Sequence, residues 1–151
     1  MSVTITCATE AETRAAGRRL ASMLGPGDVV LLAGRLGAGK TVFVSGVGEG
    51  LGVVTPVTSP SFILARRYQG LMPMVHADLY RIGSSGEIED LDLATEAVDG
   101  VLVVEWGDAA ENSFPDDHLL VRLEAHQDGA RSVTFIPRGA WASRPLEEFH
   151  Q

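Results

Sequence analysis

The segment 34–41 combines glycines, a lysine and a threonine in an order that suits phosphate binding. It matches the pattern G-x-x-x-x-G-K-[ST] as Gly34-Arg-Leu-Gly-Ala-Gly-Lys-Thr41. Glycines let the backbone turn with its N–H groups pointing inward as an anion nest, and a following helix adds its positive N-terminus. In such a loop Lys40, the only lysine of the chain, reaches the β- and γ-phosphates, and the Thr41 hydroxyl can bind Mg²⁺. The segment therefore predicts a phosphate-binding loop, or P-loop, for a nucleoside triphosphate.

A magnesium–nucleotide site also needs a carboxylate near the metal ion. Two acids follow apolar segments: Asp78 comes after residues 72–77, and Glu105 comes after Val101–Val104. The strands of an open α/β sheet end on the ligand side, so both acids can meet the phosphates there. Glu105 is the better candidate for the metal because its strand is the more apolar. The alternative is that each acid caps a strand or pairs with an arginine.

The nucleotide predicted for this loop is ATP rather than GTP. Regulatory GTPases read guanine through an N-K-x-D element. This chain has one asparagine, Asn112, and it is followed by Ser113 instead of lysine.

Other residues whose side chains could take part in chemistry give weaker indications of a functional role. The four histidines share no metal-ligand spacing, which favours surface or core roles over catalysis. Cys7 is predicted to be a small buried hydrophobe. Trp106 adjoins Glu105, and the sequence leaves open whether it contacts a base, contacts a partner or packs in the core. The histidines are His76, His118, His126 and His150.

The elements that must position the loop follow from periodicity and turn residues. A capping box formed by Thr9 and Glu12 starts the first helix, and a second capping box at Ser84 and Glu87 starts a short acidic helix with Ile88, Leu91 and Val98 on one side. The other predicted elements, in chain order, are a helix over 10–24, a buried strand over 28–33, a loop over 34–39, a helix from 40 to about 51, a loop over 55–60, a hairpin of 61–68 and 71–77 around Gln69-Gly70, a buried strand over 101–104, a hairpin of 118–124 and 132–136 around 127–129, and a last turn at 146–149. Gly46, Gly48 and Gly50 each weaken the second helix by about 1 kcal/mol relative to alanine, so this helix needs compensating contacts.

Length and composition indicate one domain, residues 1–151, in a reducing compartment. The chain is 45% hydrophobic and 21% charged, and it has a single cysteine. No segment looks like a secretory signal or a membrane span, so a cytoplasmic protein without membrane contact is expected. The net charge of −8 opposes direct binding of nucleic acid, because that affinity comes largely from Lys and Arg. Any role on RNA is therefore expected to run through a partner.

Four segments together resemble the TsaE family, the small bacterial P-loop ATPases of tRNA threonylcarbamoyladenosine biosynthesis. The resemblance spans about residues 9–138. The last two segments are much more specific than the P-loop alone. The segments are Gly34–Thr41, Val57-Thr-Ser-Pro-Ser-Phe62, His76-Ala-Asp-Leu-Tyr-Arg81 and Val104-Glu-Trp106.

This resemblance implies an α/β P-loop NTPase fold with a mostly parallel central sheet, flanking helices and antiparallel hairpin strands. It further implies that Thr41 and Glu105 hold Mg²⁺, that Lys40 and Asp78 serve hydrolysis, and that the loop 58–60 acts as a switch. The partner implied is the TsaD–TsaB complex, which modifies adenosine 37 of tRNAs reading ANN codons, so that tRNA is met only indirectly. The residues implied to wrap the ATP phosphates are Gly37, Ala38, Gly39, Lys40, Thr41 and Val42.

The chain departs from the family pattern at four positions. The family usually has Asp at the place of Arg35, Thr at the places of Val42 and Ser61, and a larger residue at the place of Ala77. Val42 lacks a hydroxyl for the α-phosphate, although its N–H can still donate. Arg35 reverses a charge beside the P-loop.

The sequence favours slow ATP hydrolysis that a partner accelerates, since the motifs contain no obvious arginine finger. One rival is a small-molecule kinase with the same P-loop, which would need an acceptor pocket and an arginine-rich lid. A second rival is a non-catalytic module that holds ATP as a structural ligand.

Overall fold

The computed structural model describes residues 2–35, 37–58, 65–79, 92–106 and 111–149. Its described strands form one seven-stranded sheet with the order β1-β7-β6-β2-β5-β4-β3. The elements include β1 (Val3–Cys7), α1 (Glu10–Ala21), β2 (Val29–Ala33), α2 (Lys40–Gly50), β3 (Ala65–Tyr68), β4 (Met74–Asp78), α3 (Leu93–Glu96), β5 (Val101–Glu105), β6 (His118–Ala125), β7 (Arg131–Arg138) and the 3₁₀ turns Gly139–Ser143 and Leu146–Phe149.

The sheet has a parallel centre and antiparallel edges, which confirms the predicted fold class. Strand β2 pairs in parallel with β5 and with β6, and β5 pairs in parallel with β4. The outer pairs, β3 with β4, β6 with β7 and β1 with β7, are antiparallel. Every residue of β2 and of β5 is buried, as their apolar composition predicts for strands covered on both faces. The carboxyl ends of β2, β4 and β5 therefore meet at one edge of the sheet.

Helices α1 and α2 cover one face of this sheet. The alternate residues Val30 and Leu32 of β2 pack in one cluster with Leu20 of α1 and Phe43 of α2. Their neighbours Val29 and Leu31 belong to a second cluster on the opposite face, with Phe114 and Leu93. The capping box of α1 is present: Glu12 N donates to Thr9 Oγ1 at 3.2 Å, and the Glu12 carboxylate accepts from Thr9 N. The predicted helix therefore begins as expected, although its regular part ends at Ala21.

At the sheet edges one strand was not predicted, and one predicted turn is wrong. Nothing was predicted before the first helix, yet Val3–Cys7 forms β1 and pairs with β7 from Val3↔Phe135 to Cys7↔Arg131. The two-residue turn at Gln69-Gly70 is also absent, because the register Tyr68↔Met74 leaves residues 69–73 as the connection. This longer connection packs on the end of α2, where Leu71 N donates to Leu51 O at 2.7 Å.

The acidic helix predicted after Ser84 lies mostly outside the described residues, including Ile88 and Leu91. In the described part the helix is the short α3, and Val98 lies beyond its end with 68% of its surface exposed. The prediction that Val98 shares the apolar side of that helix is therefore wrong. Leu93 and Ala97 are the residues buried there.

The hairpin of β6 and β7 is confirmed, with ends one or two residues longer than predicted. Its turn is closed by the bond from His126 N to Ala130 O at 2.9 Å, and Gly129 has the positive φ of 90° that favours glycine. Cys7 is a buried hydrophobe as predicted, and burial raises the pKa of its thiol. Within the described ranges, every helix is too short or too polar to cross a membrane.

Candidate functional site

The glycine-rich loop joins the end of β2 to the start of α2. Gly37 and Gly39 have φ values of 82° and 101°, a region that side-chain-bearing residues rarely adopt, so glycine is required at both positions. Gly39 is the N-cap of α2, and no side chain caps this helix N-terminus. The first turn of α2 contains no acidic residue. The backbone therefore presents a helix N-terminus that suits an anion.

Lys40 lies at the mouth of this loop and is only 6% exposed. Its Nζ donates to the carbonyl oxygens of Gly34 and, at 3.2 Å, of Arg35. The same Nζ lies 3.6 Å from the centroid of the Trp106 ring, which is cation–π distance. The ammonium is thus held beside the loop, within the cleft where phosphates are expected.

Trp106 follows Glu105 in a left-handed backbone conformation with a φ of 68°, and its N–H donates to Leu32 O at 2.6 Å. Such a conformation costs a non-glycine residue about 1–3 kcal/mol and needs surrounding structure to hold it. Here it brings the indole ring to the Lys40 ammonium at the cleft. The question that the sequence left open is therefore answered in part: Trp106 lines the cleft beside Lys40.

Both predicted carboxylates lie at the same cleft as Lys40. Asp78 and Glu105 are direct register partners at the ends of β4 and β5. Glu105 is 3% exposed, and its side chain bonds to His76. The cleft has a volume of about 360 Å³. From the P-loop side it is lined by Gly37, Gly39, Lys40, Thr41 and Val42, whereas Ala38 is buried and lines a neighbouring cleft.

His76, for which the sequence favours a surface or core role over catalysis, contacts Glu105. Its ring is fully buried, and Nε2 lies 2.5 Å from Oε2 of Glu105. In a strand, residues two apart share a face, so His76 and Asp78 project from β4 to the same side. The H-x-D spacing was the available signal, but only the pairing of β4 with β5 adds Glu105 to it.

Arg131 is a site residue that sequence reasoning missed. It stands at the start of β7, and its guanidinium donates to Gly37 O of the P-loop at 3.2 Å and to Gly129 O at 2.9 Å. Arg131, Gly129, Glu10 and Thr13 complete the lining of the cleft. No local pattern marks Arg131, because the contact joins residues that are 94 positions apart.

The positions that depart from the family pattern lie in different places. The Arg35 side chain is exposed, and only its carbonyl oxygen contacts Lys40. Val42 lines the cleft, and Ala77 is fully buried on the other face of the sheet. In the switch-like loop, Thr58 N donates to the Tyr68 hydroxyl at 3.3 Å. Ser59, Pro60 and Ser61 lie outside the described residues.

A glycine loop between a buried parallel strand and a helix, with a lysine and strand-end acids around one cleft, defines a protein of the P-loop NTPase-like class. The crystal structure of YdiB from Bacillus subtilis is similar, with a TM-score of 0.78 and 32% identity over 92% of this chain and 87% of that chain.

The family model described as "Threonylcarbamoyl adenosine biosynthesis protein TsaE" matches residues 7–133. The tRNA threonylcarbamoyladenosine biosynthesis protein TsaE of Streptomyces coelicolor is 45% identical over 86% of this chain and 94% of its own length. The protein of the same name from Bacillus subtilis is 38% identical over 85% of this chain and 81% of its own length. The chain belongs to the TsaE family, as the four sequence segments predicted.

Proposed function

We propose that this protein is a P-loop ATPase that acts in the biosynthesis of threonylcarbamoyladenosine in tRNA. The observation that carries the proposal is the single cleft where Lys40 and Thr41 of the P-loop meet Asp78 and Glu105 at adjacent strand ends. A phosphate-binding loop and two carboxylates are the groups that phosphoryl transfer to water requires. Membership of the TsaE family supports the pathway.

The residues at the cleft fit a magnesium ion. Mg²⁺ prefers oxygen ligands and keeps several waters and phosphate oxygens, so it needs only one or two protein groups. The Thr41 hydroxyl and the Glu105 carboxylate are such groups and line one cleft. Among the described residues no group of three His, Cys, Asp or Glu side chains is placed to hold a metal ion by itself, so nucleotide oxygens and water would have to supply most of its ligands. When bound, the ion would neutralise charge on the phosphate oxygens.

In the proposed reaction a water molecule attacks the γ-phosphorus in line with the leaving oxygen of ADP. Lys40 and the N–H groups of the loop and of the α2 N-terminus stabilise the charge on the phosphates. For Lys40 this means that the ammonium exchanges the carbonyl oxygens of Gly34 and Arg35 for phosphate oxygens. Asp78, at the strand end beside Glu105, orients the attacking water and accepts its proton.

The sheet order indicates which end of the cleft holds the nucleoside. The acids stand on β4 and β5, on one side of β2, while Arg131 stands on β7, on the other side. The P-loop lies between them, at the end of β2. If the γ-phosphate is directed to the acids, the ribose and adenine extend towards Arg131, Thr13 and Glu10.

The proposed partner is the TsaD–TsaB complex, with tRNA reached through that complex. The net charge of −8 argues against direct tRNA binding by this chain. The test is phosphate release from Mg²⁺–ATP by the purified protein, alone and with TsaD–TsaB of the same organism and tRNA. We expect slow release alone and faster release with the complex. ATP binding with no response of hydrolysis or of tRNA modification to the complex would contradict the proposal.

Asp78→Asn is expected to lower phosphate release by about 100-fold while ATP affinity stays near the wild-type value, because a water-orienting carboxylate acts mainly on the chemical step. Single-turnover hydrolysis and equilibrium ATP binding separate the two effects. Asp99→Asn is the matched control, since Asp99 is an exposed partner of Arg67 at 2.8 Å. Full hydrolysis by the Asp78 variant would show that this acid has no part in the reaction.

Arg131→Gln is expected to weaken ATP and ADP binding about tenfold or more, the equivalent of one lost charge-assisted hydrogen bond. Binding of inorganic tripolyphosphate, which lacks the nucleoside, should change much less. Titration calorimetry with the three ligands makes the comparison, and Arg122→Gln in the neighbouring cleft is the control. An equal loss for tripolyphosphate would instead assign Arg131 to bracing the loop at Gly37.

A further inference from the structure

The pair of His76 and Glu105 places two polar side chains inside an otherwise apolar part of the sheet. Their side chains are 0% and 4% exposed, and their neighbours on these strands include Met74, Val101 and Val103, which are fully buried. A buried polar pair is no more stabilising than well-packed apolar residues, and often less so. Core stability therefore does not explain a histidine at this position.

The bonds of the His76 ring are unequal. Nε2 is bonded to Glu105 Oε2 at 2.5 Å, whereas Nδ1 is buried and finds no hydrogen-bond partner among the described residues. A buried nitrogen without a partner costs about 1–3 kcal/mol. The ring therefore keeps the hydrogen bond of Nε2 to Glu105 although Nδ1 stays without a partner among the described residues. A carboxylate accepts, so Nε2 carries the proton and donates.

This bond fixes how Glu105 meets the cleft. A carboxylate on a long side chain can rotate and present either oxygen, and its terminal torsion is broad. If Oε2 stays bound to His76, Oε1 is the oxygen that can turn to the cleft that Glu105 lines. Asp78, the register partner of Glu105, stands beside it at the same edge.

We propose that His76 is a positioning residue that orients the Glu105 carboxylate towards a divalent cation bound with the nucleotide. The inference rests on the proposed function, because it assumes that the cleft takes Mg²⁺ with ATP. Partners that hydrogen-bond to a metal ligand from behind typically change metal affinity by about 10–100-fold when they are replaced. His76 touches neither nucleotide nor metal in this proposal and acts through Glu105 alone.

The test compares two amides of different reach at position 76. In His76→Gln the side-chain N–H₂ lies near the place of Nε2 and can still donate to Glu105. In His76→Asn the amide lies near the place of Nδ1 and falls short of it. The measurement is the binding of adenylyl imidodiphosphate, a non-hydrolysable ATP analogue, by calorimetry in EDTA and over a series of Mg²⁺ concentrations.

The expected result is a split between the two variants. His76→Asn should need about 10–100 times more Mg²⁺ for the same analogue affinity, whereas His76→Gln should stay close to wild type. Binding in EDTA should be equal for all three proteins, which shows that the P-loop is intact. His118→Asn is the control for loss of a buried histidine, since His118 bonds to Glu111 Oε2 at 2.6 Å away from the cleft and is 4% exposed.

The outcomes separate this inference from the proposed function. If wild-type binding of the analogue does not depend on Mg²⁺, the proposed function fails. If wild type depends on Mg²⁺ and His76→Asn shows the same dependence, only the positioning role is overturned, and His76 is a core residue. Nitrogen-15 NMR of the wild-type imidazole tests the same point without a variant: a ring with its proton on Nδ1 instead of Nε2 would overturn the inference.

Discussion

Lys40→Ala is expected to abolish detectable ATP hydrolysis and to weaken ATP binding by at least about 10–100-fold. Lys40 is the only lysine of the chain. It lies at the mouth of the P-loop with 6% of its surface exposed. Each hydrogen bond to a charged group contributes about 1.5–3 kcal/mol, which matches this range of affinity for one lost contact. The effect on hydrolysis is larger because charge on the phosphates grows in the transition state.

Lys40→Ala also loses contacts within the protein. The experiment must therefore separate the loss of protein stability from the loss of ATP binding. Lys40 binds the carbonyls of Gly34 and Arg35 and lies on the Trp106 ring. Lys40→Met keeps most of the aliphatic packing and removes the ammonium, that is, its charge and its hydrogen bonds to the two carbonyl oxygens. Thermal unfolding without nucleotide reports the structural part, and calorimetric ATP titration reports the binding part.

Arg67→Ala is the control for the change in net charge, because Arg67 is exposed on the edge strand β3 and pairs with Asp99 outside the cleft. Unchanged ATP affinity in both Lys40 variants would contradict the assignment of the P-loop. Lys40→Arg is expected to rescue poorly, since a planar guanidinium cannot replace a compact ammonium in a tight loop.

The parts of the site that could be predicted are those encoded in short segments. The P-loop depends on eight consecutive residues whose glycines, lysine and threonine each have a local reason. The burial of β2 and β5 follows from apolar runs, and a parallel sheet brings Asp78 and Glu105 to one edge whatever the details of the loops. The fold class and the meeting of the P-loop with both acids at one cleft were therefore accessible from the sequence, and the roles of these residues stay predictions.

The parts that could not be predicted depend on which strands become neighbours. The bond between His76 and Glu105 needs β4 beside β5 in the observed register, and the Arg131 contact needs the hairpin of β6 and β7 to reach the P-loop. The periodicity of a segment indicates that a strand has a buried face, but it does not indicate which strands pair with it. The wrong turn at Gln69-Gly70 has the same origin, because contacts with the end of α2 extend that connection.

Two of the three glycines of α2, Gly46 and Gly50, are explained by the neighbouring helix α1. A Cβ placed on Gly46 would lie 2.0 Å from Arg14 O, and one placed on Gly17 would lie 2.2 Å from Phe43 O. Backbone therefore meets backbone where α1 crosses α2. The intrinsic loss in helix propensity, about 1 kcal/mol for each glycine, is offset by this close packing and by the burial of Phe43, Val44 and Val47.

Gly46→Ala is accordingly expected to destabilise the protein, although alanine is the better helix former. The methyl group would meet a carbonyl oxygen that cannot move without shifting α1, and overpacking of this kind costs about 1–3 kcal/mol or more. At about 2–4 °C per kcal/mol for a chain of this size, the melting temperature should fall by several degrees. Denaturant and thermal unfolding measure the loss.

The consequence should extend to the nucleotide, because α2 begins at Lys40 and carries the last two residues of the P-loop, Lys40 and Thr41. A helix displaced at Gly46 moves the N–H groups and the ammonium that face the phosphates, so ATP affinity should fall together with stability. Gly25→Ala is the matched control, since a Cβ there meets nothing within 4 Å. If Gly46→Ala raised the free energy of unfolding instead, the gain in helix propensity would outweigh the clash with Arg14 O. Helices α1 and α2 would then have to lie farther apart at this point than the structure shows.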